Sequence, residues 1–209
     1  MNQDIPATLV THLPKDLIMG INDSLYAGAE RAYLRAKHDA SGHRASILGN
    51  MRHWCMNEEF FKTLLVNECS PTPLKGNHLV TGKSGIFNLG RINDNNVSWS
   101  NLTRAKTRQQ LAEHNRYIES LVQPGLFDSP EHIPVATVFF LARFSGSFAE
   151  QPESPVSVEV VVPSPDMRSW LFRESIGLFL CRYEQPLPQK DTAFTTLKSK
   201  TIRKAGTED

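Results

Sequence analysis

The sequence predicts an α+β fold: a helical section over residues 1–70, then an antiparallel or mixed sheet packed with two further helices over residues 71–186. Three observations carry this. Apolar residues recur at helical spacing before residue 70, Ser70-Pro71-Thr72-Pro73 interrupts the pattern, and alternating β-branched segments follow without a regular strand–helix alternation.

The first helix is expected over residues 14–40, where Ile18, Ile21, Leu25, Ala29, Ala32, Tyr33 and Ala36 form one face and Gly42 follows as a stop. A second follows Ser41, with Ala45, Leu48, Met51 and Cys55 on its stripe. Asn57 is expected to cap a third over residues 58–68, whose Glu58 and Glu59 suit the positive end of a helix. Past the prolines, residues 77–81, 86–92 and 97–100 read as short strands joined by turns at 82–85 and 93–96. A helix is expected over residues 103–122 and ends at Gln123-Pro124-Gly125. Residues 135–144 and 156–162 read as central strands. In the second, Val156, Val158, Val160 and Val162 share a face, while Phe139-Phe140-Leu141 in the first implies burial on both sides. Ser164-Pro165-Asp166 has the form of a helix start and predicts a largely apolar helix to about residue 183. Residues 187–209 lose periodicity and carry Lys198, Lys200, Arg203 and Lys204, the pattern of a basic flexible tail.

With 209 residues, 40% of them hydrophobic and 22% charged, the chain has material for one substantial core, and residues 1–186 are expected to form a single domain. The longest apolar runs fall short of the roughly 20 residues a membrane-spanning helix needs. The N-terminus lacks the pattern of a cleaved secretory signal. Cys55, Cys69 and Cys181 form no disulfide framework, which fits reduced thiols and a cytoplasmic location.

Charge is unevenly spread beneath a net +1. Residues 72–124 hold seven bases and three acids, whereas residues 125–196 hold five bases and nine acids. A basic middle facing an acidic later section suits an anionic partner, or association between the two sections.

Several motifs are weaker than they first look. The run from Gly76 to Ser84 approaches a phosphate-binding loop but places five residues, not four, before Gly82-Lys83, and a strand pattern follows where that motif needs a helix. His43, His53, Cys55, Cys69 and His78 lack the paired spacing of a zinc site, so no metal is assigned. No nucleophile elbow is present, and no motif calls for a cofactor. Glu159 falls on the face opposite the valine row, where it is expected to meet solvent.

The expected helix after Ser100 is different. Arg104, Lys106 and Arg108 crowd its first turns and no acid appears before Glu113, so its charges oppose the helix dipole. Cations beside unpaired N–H groups make a place for an anion. Arg104, Arg108, Leu111, Asn115 and Ile118 share a stripe, which puts the arginines at the rim of the core. Arg91 on the preceding hairpin is positioned to converge on them, and Trp99 to stack on a base. The expected function is therefore a non-catalytic cytoplasmic binding protein whose basic centre, at Arg91, Trp99, Arg104, Lys106 and Arg108, contacts a polyanion, with nucleic acid as the leading class. The alternatives are a protein-interaction subunit, with a protein partner or a second copy of the chain, and an enzyme acting on a phosphorylated or carboxylated substrate. What separates ligand site from internal ion pairing is whether Glu150, Glu153 or Glu174 lies on Arg104 and Arg108.

Overall fold

Two prolines punctuate the start of the chain. Pro6 sits in the first turn of α1 (Ile5–His12), and Pro14, in extended geometry, separates it from α2 (Lys15–Ala36). These elements belong to a computed structural model that describes residues 4–94, 103, 105–116, 118–119, 135–145 and 152–184. The third helix, α3 (Ser41–Val66), lies along α2. Then follow β1 (Gly82–Ser84), β2 (Phe87–Asp94), α4 (Lys106–Glu113), β3 (Ala136–Arg143), β4 (Ser157–Pro163), β5 (Trp170–Ser175) and α5 (Ile176–Cys181). The five strands form one mixed sheet in the order β1-β2-β3-β4-β5. Among the described residues its one parallel pair is β2 with β3. The α+β class is thus as expected, with the helices of the N-terminal section preceding the sheet. No helix among the described residues is long and apolar enough to cross a membrane.

Several expected elements differ. α3 is continuous where two helices meeting at Asn57 were expected, because the Asn57 side chain is buried and bonded to distant groups. An asparagine breaks a helix when it bonds its own backbone; here that competition is absent. Residues 77–81 form no strand. The hairpin begins at Gly82 and turns through Gly85 and Ile86, with Gly85 at φ +53°, the glycine-first pattern of a tight II′ hairpin. Ser164-Pro165-Asp166-Met167 is a turn and not a helix start. Ser164 Oγ donates to Asp166 Oδ1 at 2.6 Å and accepts from Ser169 N, and Met167 takes φ +57°. Trp170-Leu171-Phe172, rich in β-favouring aromatic bulk, then pairs antiparallel with β4, leaving α5 and a 3-10 turn over Arg182–Glu184 as the helical part of that stretch. Residues 97–100, 123–125 and the tail 187–209 lie outside the described residues.

Alternation along the central strands gives the sheet two buried faces. Phe87, Leu89, Val138, Phe140, Val160 and Val162 pack with the helices of the N-terminal section and Phe179 of α5. On the other face, Ile92, Phe139, Leu141 and Val161 meet Ala112 of α4 and Met167. Glu159 does face away from the valines, yet it is only 9% exposed. Arg173 Nε donates to it at 2.6 Å and Arg143 Nη1 at 3.3 Å, so an ion pair replaces the expected solvent contact.

The end of α3 carries a testable strain. Glu68 adopts φ +57°, Cys69 N–H reaches back to Leu64 O at 2.8 Å, and Glu68 N–H to Leu65 O at 3.1 Å. That is the double reverse bond of a Schellman cap, whose left-handed position favours glycine. A side chain there costs about 1 to 2 kcal/mol, against a smaller entropic penalty for glycine in the unfolded chain. Glu68→Gly is expected to stabilise the fold by about 0.5 to 1 kcal/mol, read as a higher urea midpoint at unchanged m; a lower midpoint would contradict this account of the cap.

Candidate anion-binding site

Parallel strands cannot be joined by a tight turn, so the chain leaves β2 at its carboxyl end and returns to β3 through a crossover that contains α4. In open sheets, ligand crevices form outside such carboxyl ends. Beyond Leu89 the outer edge of β2 has no strand partner among the described residues, because β1 pairs only with Phe87 to Leu89. A partly open cavity of about 330 Å³ occupies this corner. His53 of α3 lines one side; Asn77, His78 and Leu79 lie on the segment before β1; Arg91 and Asn93 come from β2. The start of α4 closes it with Ala105, Thr107 and Arg108.

Period-2 geometry puts Arg91 on the same side of β2 as Phe87 and Leu89, directed at α3. It is 3% exposed. Its Nε donates to Asn57 Oδ1 at 3.0 Å, Nη1 to Asn93 Oδ1 at 2.8 Å, and Nη2 to the His53 carbonyl at 2.5 Å. All three acceptors are neutral. Three of the five guanidinium N–H groups are thereby used and the positive charge meets no carboxylate in these bonds. Burial, reinforced by neighbouring Arg108, pushes its pKa well below the ordinary arginine value, to about 9.

Asn57 organises the surroundings. Because its oxygen accepts from Arg91, its amide nitrogen is the donor to His53 Nε2 at 3.2 Å and to the His78 carbonyl at 3.1 Å. His53 Nε2 must then be unprotonated, and the ring is neutral. Burial, together with the charges of Arg91 and Arg108, lowers the His53 pKa against a hydrogen bond with the Asn77 backbone that favours the cation. The indole N–H of Trp54 holds Asn77 Oδ1 at 3.0 Å, so this part of the lining is tied to α3 twice.

Of the helix expected over residues 103–122, α4 covers Lys106–Glu113 and a turn follows at 114–115; Lys106 and Arg108 stand in its first turn, as expected, while Arg104 lies outside the described residues. Ala105 is the N-cap of α4 in extended geometry, with no side-chain cap, and the first turn holds no acid. The helix is fixed to the sheet by buried Asn115, whose Oδ1 accepts from Thr137 N at 2.6 Å and whose Nδ2 donates to Pro163 O at 2.8 Å. Thr137 Oγ1 adds a bond to Leu111 O. Arg108 is consequently held beside Arg91, and burial lowers its pKa as well.

Of the residues expected at the site, Arg91 and Arg108 come together. Lys106 is exposed on the same first turn but does not line the cavity. Trp99 and Arg104 lie outside the described residues, as does Glu150. Glu174 is engaged by Arg182, whose Nε and Nη2 donate to it at 2.7 and 2.9 Å, and Glu153 is exposed. The sequence reading missed Asn57 as a site residue, and weighed His53 only as a metal ligand and His78 as a metal ligand or as a catalytic group in the enzyme alternative. The signal was available: residues 53 and 57 are four apart, and on one uninterrupted helix they share a face. Among the described residues no three His, Cys, Asp or Glu side chains cluster as a metal site. The described lining of the cavity likewise contains no carboxylate. Two guanidinium groups and a helix N-terminus together make an environment that favours negative charge.

No family model matches the chain, and no curated protein or solved structure matches it.

Proposed function

We propose that the protein is a non-catalytic binding protein whose basic centre contacts the phosphates of a polyanion, with nucleic acid as the ligand class. The observation that carries this reading is the cavity at the carboxyl end of β2, where buried Arg91 is bonded only to neutral acceptors and Arg108 adds a second cation. A buried charge without an opposing one is unfavourable, and an incoming phosphate relieves it with charge-assisted bonds. The neutral state of His53 and the occupation of its Nε2 leave that ring as scaffold, not as proton carrier.

A titration with a labelled single-stranded oligonucleotide at about 50 and 200 mM salt tests this, since each neutralised phosphate contributes about −0.7 to the slope of log affinity against log salt for single strands. The parent protein is expected to bind more weakly at the higher salt. Arg108→Glu is expected to lower affinity at least tenfold at the lower salt and to flatten the slope. Absence of binding by the parent, or an Arg108→Glu variant that binds equally well, would sink the proposal.

A further inference from the structure

We propose that the cavity recognises a terminal phosphate monoester, the phosphorylated end of a nucleotide chain, and not the phosphodiesters along it; the inference rests on the anion-binding reading of the same site. The shape of the site is the first argument. Arg91 retains only 3% exposure, so a group that reaches its guanidinium must enter the recess. An internal phosphodiester carries a sugar on both sides and lies along a strand, whereas a terminal monoester has three free oxygens and can enter head first.

Charge gives the second argument. Arg91 carries a buried positive charge bonded to neutral acceptors, Arg108 stands in the same lining, and the first turn of α4 adds the roughly +0.5 of a helix N-terminus. A monoester carries about −1.5 to −2 near neutral pH and a diester a single charge, so the monoester gains more from this positive field. Hydrogen-bonding capacity agrees. Arg91 has one further N–H on each Nη, and the Thr107 hydroxyl lies in the lining, so donors are available for several oxygens at once. The volume fits too: about 330 Å³ lies at the low end of the range of small-ligand pockets, suited to an end group and not to a duplex groove.

The experiment compares one ten-nucleotide single strand in three forms, with a 5′-phosphate, with a 3′-phosphate and with neither, against the full chain by fluorescence anisotropy. A nucleoside monophosphate serves as competitor, separating a free nucleotide from a chain end as the source of the group. At least one phosphorylated form is expected to bind ten times or more tightly than the unphosphorylated strand, and the monophosphate to displace it. Arg108→Gln, first shown to unfold cooperatively, is expected to reduce that preference to threefold or less, and Arg108→Lys to restore part of it. Equal affinity of the three forms overturns end recognition while leaving the nucleic-acid reading intact, and failure of all three to bind overturns both. The comparison among strands uses the unsubstituted protein, so its outcome does not depend on any variant folding.

Discussion

Replacing Arg91 by methionine is expected to weaken oligonucleotide binding by a hundredfold or more and, in the absence of ligand, to make the protein more stable. The two effects share a cause. The fall of the Arg91 pKa from the ordinary arginine value to about 9 corresponds to on the order of 5 kcal/mol of unfavourable charge burial. Against this, Arg91→Met deprives Asn57 Oδ1 of its donor inside the protein, a loss of about 1 to 3 kcal/mol. Asn93 is only half-buried and can turn to water, and the His53 carbonyl lies within the continuous α3 helix. Methionine replaces the apolar stem at similar length. The net expectation is a gain of about 2 to 4 kcal/mol in urea unfolding, the difference between the two preceding magnitudes. The pH dependence has a definite sign. The folded arginine gives up its proton at about 9 and the unfolded one only at much higher pH, so above about pH 9 the unfolded state binds more protons and rising pH favours the folded wild type. The advantage of Arg91→Met should therefore shrink between pH 8 and pH 10, by about 1.4 kcal/mol at most. A variant that is less stable than the parent at pH 7, or whose difference ignores pH, would show that Arg91 is a structural keystone and not a charge held for a ligand.

Gly28→Val is expected to destabilise the protein by about 3 kcal/mol or more through overpacking, a larger effect than a surface change produces. Gly28 lies in α2 where that helix crosses α3, and a Cβ there would stand 2.7 Å from Met56 Cα and 3.0 Å from Met56 N. Those atoms are backbone, so no rotamer change makes room and the helices must separate. Gly49, inside α3, supplies the contrast: a Cβ there meets nothing within 4 Å. Gly49→Ala should then follow helix propensity alone and stabilise by about 0.8 to 1 kcal/mol. Opposite signs for two helix glycines in one chemical denaturation series are the expected result; a neutral Gly28→Val would mean that α2 and α3 do not approach this closely. Because Met56 adjoins Asn57, a separated α3 also withdraws the acceptor of Arg91, and oligonucleotide affinity should fall with stability.

Signals that are local in the chain were readable before the fold. The helical face at Ile18, Ile21 and Leu25, the burial of both Phe139 and Phe140, and the uncapped cationic start of α4 all reappear in the structure. What misled was chemistry whose partner is remote. Asn57 has the right type for a helix cap, yet it meets Arg91, 34 residues later, and remains inside the helix. Ser164-Pro165-Asp166 has the form of a helix start, yet β4 supplies an edge on which Trp170 to Ser175 pair as a strand. Propensity is a weak preference, and a sheet edge outweighs it. Glu159 looked solvent-facing because a period of two distinguishes faces but not what covers them; Arg143 and Arg173 do so here. The convergence of Arg91 and Arg108 was anticipated from their placement, whereas the His53–Asn57 support behind them required α3 to be seen as one helix.

The parallel pairing of β2 with β3 also orders events in time. α2 and α3 are linked by four residues, so they meet at little loop-closure cost, while Phe87 must wait for Ala136 before the strands can register. During synthesis the helical pair can form with Arg91 already at hand, but the crossover that carries Arg108 closes only when β3 arrives. The cavity is consequently expected to form late, where an early helical unit meets a slower sheet. If the proposed phosphate binds there, it would bridge the two and slow their parting, so that its occupancy is expected to protect the β2 and α4 amides from exchange.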